Sequence, residues 1–434
     1  MVFFHLYAKL KKYSLKLTKF KARSLFLLTV LAIFFQGLVL LAQTNQLTIK
    51  TLIRADEAQQ LQPLVAKFNQ QHDDIRFQIV EAPSDSNQVE DLYTSSFLLG
   101  NSPYDLVYMD VVWTPKFAAA GWLEDVSDRL SQEEAQQYLE GDISAGMYEN
   151  KLYRVPFRSD AGMLYYRQDL LEQAGYEPPE TFQELLEISQ DLQQQGLVRW
   201  GYVWQGKQYE GLAAMFVEIL QGSGGFWVEP DTLKVGLDRP EAIEAVKFLR
   251  KAIATKASPP GVTTYAEEEA RLLFQNGKVA FMRNWPYVYS LALDSPIAGK
   301  YNIKPMVHGV GFNSGATLGG WGWGISTSTK HADAAWKVIE FLTSESSQRE
   351  FVLETGFVPS RIALFNDEAI VAKYNYYPKL LDVVQSSALR PPISQYAQAS
   401  DILQRYLSAA ITGKMTPERA MQAAARETRN LLKR

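Results

Sequence analysis

The chain has 434 residues, 47% of them apolar, enough for a large core and more than one domain. It contains no cysteine, which excludes disulfides, thiolate metal sites, a cysteine nucleophile and a lipid-modified N-terminal cysteine. The net charge of -4 hides an asymmetry: residues 1–42 carry seven of the 44 basic residues and no acid, leaving 37 against 48, an acidic body that argues against nucleic acid as a partner.

The first segment reads as an address. Basic residues between Lys9 and Arg23 precede an apolar run over 25–41, the order of a secretory signal, with Ala42 as a small residue for cleavage. The run approaches the roughly 20 residues that span a bilayer. Residues 1–42 are therefore expected to be a signal peptide or a retained N-terminal anchor. Either places the remainder in the periplasm.

Residues 47–53 are β-rich and predict a strand. Leu61, Leu64, Val65 and Phe68 at i, i+3, i+4, i+7 predict an amphipathic helix, with Pro63 tolerated in its first turn. Strand 75–80, helix 89–99, strand 104–110 ending at Asp110, and a short apolar helix 114–123 follow. This alternation predicts a parallel sheet with helices on both faces.

A second α/β unit is expected from about residue 158. Strand 152–157 runs into Arg158-Ser159-Asp160, strand 162–167 follows, and helix 168–174 is closed by Gly175. Thr181 and Glu184 have the spacing of a capping box. Residues 200–204 predict a strand and 212–220 a helix. Gly222-Ser223-Gly224-Gly225 is no phosphate cradle, because no Gly-Lys-Ser/Thr follows. Asp238 is expected to cap a helix with Pro240 in its first turn.

Ala270, Leu273 and Phe274 predict a helix that Gly277 ends, and 279–282 predicts a buried strand. Arg283, Asn284, Trp285 and Tyr287 lie just past that strand, where α/β proteins present groups to a ligand. The plainer reading is a core strand with an aromatic plug. Residues 303–307 predict a strand. In the glycine-rich passage 309–324, Gly320 beside Trp321 lets backbone come close to something that an indole faces, or makes a strained turn around a buried tryptophan. Helix resumes at Asp333, breaks at 356–361, and fills most of 402–432; Arg390 stands in a loop before Pro391 and Pro392.

Histidine occurs only at positions 5, 72, 308 and 331, which supports no zinc site, and there is no nucleophile elbow or Walker loop. No metal and no cofactor is expected. Asp110 and Asp160 both end strand-like segments. They could be the acid and base of a glycosidase, acceptors for sugar hydroxyls, or ordinary turn residues.

Taken together, the segments resemble the solute-binding protein of a bacterial ABC importer, of the maltose- or trehalose-binding type. The resemblance is carried by Tyr108-Met109-Asp110-Val111-Val112-Trp113, by Phe117 to Leu123, by Asp160-Ala161-Gly162-Met163-Leu164-Tyr165-Tyr166-Arg167 with Gln168 to Leu171, by Phe281-Met282-Arg283-Asn284-Trp285-Pro286-Tyr287, and by Gly319-Gly320-Trp321. It implies an α/β, two-lobe periplasmic-binding-protein fold (type II, Venus-flytrap) with multiple hinge crossings. The expected lobes are 43–157 plus 287–330, and 158–286 plus 331–434. It implies a cleft lined by Asp110, Asp160, Trp285, Tyr287, Gly320, Trp321 and Arg390, with Glu57 at the first strand-to-helix turn. The expected ligand is a disaccharide or glucoside (trehalose, maltose, sucrose or glucosylglycerol class), bound without turnover by a monomer and read by an ABC permease. Trp285 and Trp321 would cover a sugar face while Asp110, Asp160 and Arg390 pair its hydroxyl rim. The rivals are a secreted glycoside hydrolase using Asp110 and Asp160, and a binding protein for a cationic or peptide solute.

Overall fold

A computed structural model describes residues 46–230 and 232–433. The expected leader, 1–42, lies outside the described residues. Among those described, no helix is long and apolar enough to cross a membrane. Two compact units are distinguished by their internal contacts. Of the described residues, the smaller holds those up to Thr48 with Asn69–Arg76; within it the Leu47 amide donates to the Asp74 carbonyl at 3.0 Å. The larger, Ile49–Phe68 with Phe77–Arg434, contains both four-stranded sheets and the cavity described below.

The strands are β1 (Leu47–Arg54), β2 (Ile75–Ala82), β3 (Leu106–Asp110), β4 (Met147–Tyr148), β5 (Lys151–Leu152), β6 (Val155–Ala161), β7 (Met163–Tyr166), β8 (Trp200–Val203), β9 (Val279–Asn284), β10 (Asn302–Lys304), β11 (Leu318–Ile325) and β12 (Val358–Pro359). Two four-stranded sheets carry the core, ordered β12-β6-β11-β3 and β10-β7-β9-β8. Neither of these two sheets is the parallel sheet expected from the alternation of strands and helices. In the first sheet every pairing is antiparallel, and in the second only β8–β9 is parallel. The reason is β11: a strand from some two hundred residues downstream inserts between β3 and β6, which neighbouring periodicities cannot reveal.

That strand also settles the glycine-rich passage. Leu318–Ile325 is no turn; all eight residues are buried strand. Its glycines answer the crowding of a central strand. A Cβ on Gly320, whose φ is +128°, would sit 2.5 Å from the Arg158 carbonyl oxygen, and one on Gly322 would collide with the Val155 carbonyl. Trp323 fills the opposite need, packing on Tyr108 at 4.4 Å between ring centroids.

Several local signals act as written. Gly175 is left-handed at the end of Gln168–Ala174, and Thr181 and Glu184 form the capping box of Phe182–Gln194. Ala335, Val338, Ile339 and Leu342 form the buried face of Ala332–Thr343. Others differ. The first helix starts at Ala55, so Pro63 lies inside it rather than in its first turn. Pro63 and Gln59, whose carbonyl loses its helical partner, are both exposed, so water replaces the missing bond. Asp238 does not cap Pro240–Ala254; the cap position is Arg239, and Asp238 accepts from Arg429 at 2.8 and 2.6 Å.

The chain changes sheets at places other than 157/158 and 286/287. β6 belongs wholly to the first sheet, and only Gly162 separates it from β7 in the second. β10 joins β7 through Asn302↔Tyr166. Ala332–Thr343 packs on β6 and β11, whereas Tyr396–Ile411 packs on Glu210–Gly222. The apolar patterns fix what is buried but not against which sheet.

Candidate functional site

Ends of both sheets converge on a cavity of about 320 Å³. On the first sheet, Asp110 closes β3 opposite Trp321 of β11, and Asp160 of β6 stands opposite Gly319. On the second, β9 runs out into Trp285 and Tyr287. Asp110, Asp160, Trp285, Tyr287, Gly320, Trp321 and Arg390 all line the cavity. Arg390 reaches it from the loop before Tyr396–Ile411.

Glu57 does not line it. Its side chain is buried under Arg158, which donates Nε to Oε1 at 2.7 Å and Nη2 to Oε2 at 3.0 Å, while the Tyr108 hydroxyl also donates to Oε1. Burial would raise the Glu57 carboxyl, but the Arg158 guanidinium holds it below its usual range. Glu57 thus supports Arg158, and Arg158 is the wall residue. The Arg158 Nη1 donates to Asp160 at 2.9 Å. Burial nevertheless pushes the Asp160 carboxyl up to about 7, against the pull of Arg158 and Arg283.

Arg390 forms a second hub. Its Nη2 donates to Asp110 at 2.8 Å, and its Nη1 to Glu210, which also accepts from Tyr396 and Ser400. Burial disfavours the guanidinium's charge, but Asp110, Tyr396 and Glu210 more than restore it. A buried cation with two carboxylates in hydrogen-bond geometry is held charged.

The wall carries eight carboxylates against four cations, so their partners decide what it can accept. Asp56 pairs Arg54, Asp85 pairs Lys207, Asp110 and Glu210 share Arg390, and Asp160 pairs Arg158. Glu267 accepts from Tyr209 and Trp285, Glu268 from Arg271, and Glu269 from the Ala266 amide. Each acid has a protein partner, but those of Glu267 and Glu269 are neutral donors and Asp160 Oδ1 is buried without a hydrogen bond, so the wall keeps acceptor capacity.

The wall residues that sequence reasoning missed include Arg54, Arg158, Lys207, Tyr209, Glu210 and Glu267. Arg158 had a usable signal, a charge three residues into a buried strand. Glu267 starts the helix Glu267–Gln275 and looks like an ordinary first-turn acid.

A model of the bacterial extracellular solute-binding protein family matches residues 54–349. A probable ABC transporter-binding protein of Deinococcus radiodurans is 32% identical, over 79% of this chain and 84% of its own. A mannitol-binding protein of Pseudomonas aeruginosa is 25% identical, over 92% of this chain and 96% of its own. The solved structure of maltose-bound T. maritima MalE3 is 37% identical and superposes with a TM-score of 0.85, covering 89% of this chain and all of that one. The chain belongs to the bacterial extracellular solute-binding protein family, the non-catalytic solute-capturing component of ABC importers.

Proposed function

We propose that this protein captures a disaccharide or glucoside of the trehalose, maltose, sucrose or glucosylglycerol class in the periplasm and delivers it to a membrane ABC permease. Asp110, Asp160, Trp285, Tyr287, Gly320, Trp321 and Arg390 are the proposed ligand contacts. Residues 1–42 serve as the export signal or anchor. The lobes are proposed to follow the sheets, one on β12-β6-β11-β3 and the other on β10-β7-β9-β8, with Gly162 as the first crossing. A ligand favours the closed arrangement only by touching both.

The observation that carries the reading is the pairing of an aromatic surface with a polar wall of arginine–carboxylate pairs, in which Asp160 Oδ1 is left without a protein partner. Trp285, Tyr287, Tyr209 and Phe357 line the cavity beside the Asp110–Arg390 and Asp160–Arg158 pairs. A sugar has apolar C–H faces for the rings and a rim of hydroxyls that both donate and accept. Unpaired buried hydroxyls cost roughly 1–3 kcal/mol each, which rejects poorly matched solutes. A cationic solute is a rival ligand, because the wall carries eight carboxylates against four cations. Family membership sets aside the hydrolase alternative, and Asp110 and Asp160 are both tied to arginines. A linear polyol is the competing ligand, since one relative is a mannitol-binding protein.

A thermal-shift screen with maltose, trehalose, sucrose, mannitol and spermidine tests this. A ligand at about 100 times its Kd adds roughly 2.7 kcal/mol to stability. A shift with a disaccharide supports the proposal. A shift with mannitol alone moves the ligand class to polyols, and a shift with spermidine alone overturns the sugar reading.

A further inference from the structure

Trp285 is fixed on three sides. Its Nε1 donates to Glu267 Oε1 at 3.3 Å. One face lies on the Arg283 guanidinium, 4.0 Å from the ring centroid, and that guanidinium is itself locked by Glu218 and by Gln205. The far edge approaches β11 so closely that a Cβ on Gly319 would stand 3.1 Å from Trp285 Cζ3. One face remains for the cavity.

Trp321 is placed differently. It is only 5% exposed. Its centroid is 5.1 Å from those of Tyr108 and Trp113, and the Arg54 and Arg158 guanidinia stand 5.4 and 5.8 Å from it. It is a wall, with little ring left to offer.

Glu267 links Trp285 to a second cavity ring. Its Oε2 accepts from the Tyr209 hydroxyl at 2.6 Å, and its backbone carbonyl accepts from Asn284 Nδ2 at 3.1 Å. Burial and the neighbouring carboxylate push the Tyr209 phenol well above its usual range, so it stays a donor. The Arg283 guanidinium fixes the plane of the indole. The bond at Nε1 fixes its rotation within that plane, and Tyr209 holds the carboxylate that makes the bond. A platform oriented before the ligand arrives loses less freedom on binding.

We propose that Glu267 is a positioning residue for capture: one carboxylate holds Tyr209 and Trp285 in register so that the free face of Trp285 is the surface on which the solute stacks. The proposal rests on the sugar reading for the nature of the solute, but not for the geometry.

The test uses the full chain with Glu267→Ala, Glu267→Gln and Trp285→Phe variants. Maltose and mannitol titrations are followed by calorimetry, and the emission of Trp285 is isolated by subtracting the Trp285→Phe spectrum in each background. Glu267→Ala is expected to weaken maltose binding at least tenfold and to shift the unliganded Trp285 emission to the red. Glu267→Gln keeps the shape but accepts from only one of the two donors, so smaller changes in the same direction are expected. Wild-type affinity in Glu267→Ala, or a weaker one with Trp285 emission unmoved, overturns the proposal. If Glu267→Ala does not fold, Glu267→Gln decides by the same criterion. If the wild-type protein binds neither sugar, the sugar reading fails on its own; a moved Trp285 emission then still supports the positioning role, and an unmoved one overturns it.

Discussion

Each four-stranded sheet sets an arginine against a cavity tryptophan, and the two do it in opposite ways. On the first sheet Arg158 stands 5.8 Å from Trp321, with Glu57 and Asp160 as partners. There most of the ring is packed away, although Trp321 lines the cavity together with the arginine and Asp160. On the second sheet Arg283 lies 4.0 Å from Trp285, paired with a Glu218 whose side chain has no exposure at all. There the ion pair is hidden and the ring is presented. One sheet offers polar groups backed by an aromatic core; the other offers an aromatic face backed by a buried charge. The lesson is that a residue type does not announce its role, because what stands behind it decides which part meets the solute.

The largest way to break this contrast is to remove the hidden carboxylate. Glu218→Ala leaves Arg283 buried without its partner, which should cost about 3–5 kcal/mol of unfolding free energy in a urea titration. A loss near 1 kcal/mol would show that the pair is not a support. Trp321→Ala should fall in a similar range, about 3–5 kcal/mol, as the truncation of a packed core aromatic. Trp285→Ala should spare most of that stability and instead weaken maltose binding by ten- to a hundredfold, roughly 1.4–2.8 kcal/mol by calorimetry. Equal stability losses at the two tryptophans would erase the distinction between wall and platform.

A gentler effect is a slope with pH. Asp160 holds its proton up to about 7 in the fold, against 3.8 for an ordinary aspartate, with burial as the main cause. The folded state therefore keeps a proton that the unfolded chain has released, and stability should fall as pH rises from 3.8 through about 7. Asp160→Asn should reduce that slope in thermal unfolding, and Asp142, pushed up to about 7 by burial, supplies the same sign behind it. An unchanged slope would remove Asp160 from the account. Smallest of all is the Lys207–Asp85 pair, 2.9 Å apart and partly solvated on the cavity rim. Lys207→Met should cost no more than about 1 kcal/mol.

Much of this site was legible in the sequence, for identifiable reasons. Asp110 ends a strand, Trp285 follows one and Arg390 precedes prolines, positions where local patterns stop. The resemblance to a known family supplied the rest of the cavity list. What could not be read depends on contacts distant in the chain. Neither a close backbone approach nor a strained turn at Gly320 predicts the strand β11, because glycine lowers strand propensity; only the crowding from β3 and β6 explains why glycine is needed there. Glu57 carries nothing that distinguishes a ligand contact from a support; Arg158, a hundred residues on, makes it the second. The sequence around Pro63 carries only weak capping signals, so it does not reveal that the helix starts at Ala55, eight residues before the proline.

Gly162 carries a further consequence. It is the sole residue between the two sheets at that crossing, and any side chain there would strike Glu218 and Arg283. In the proposed two-lobe arrangement, the first crossing is thus packed against the same ion pair that backs Trp285. The proposed pivot and the proposed stacking surface share one foundation, so a substitution at this spot is expected to disturb both.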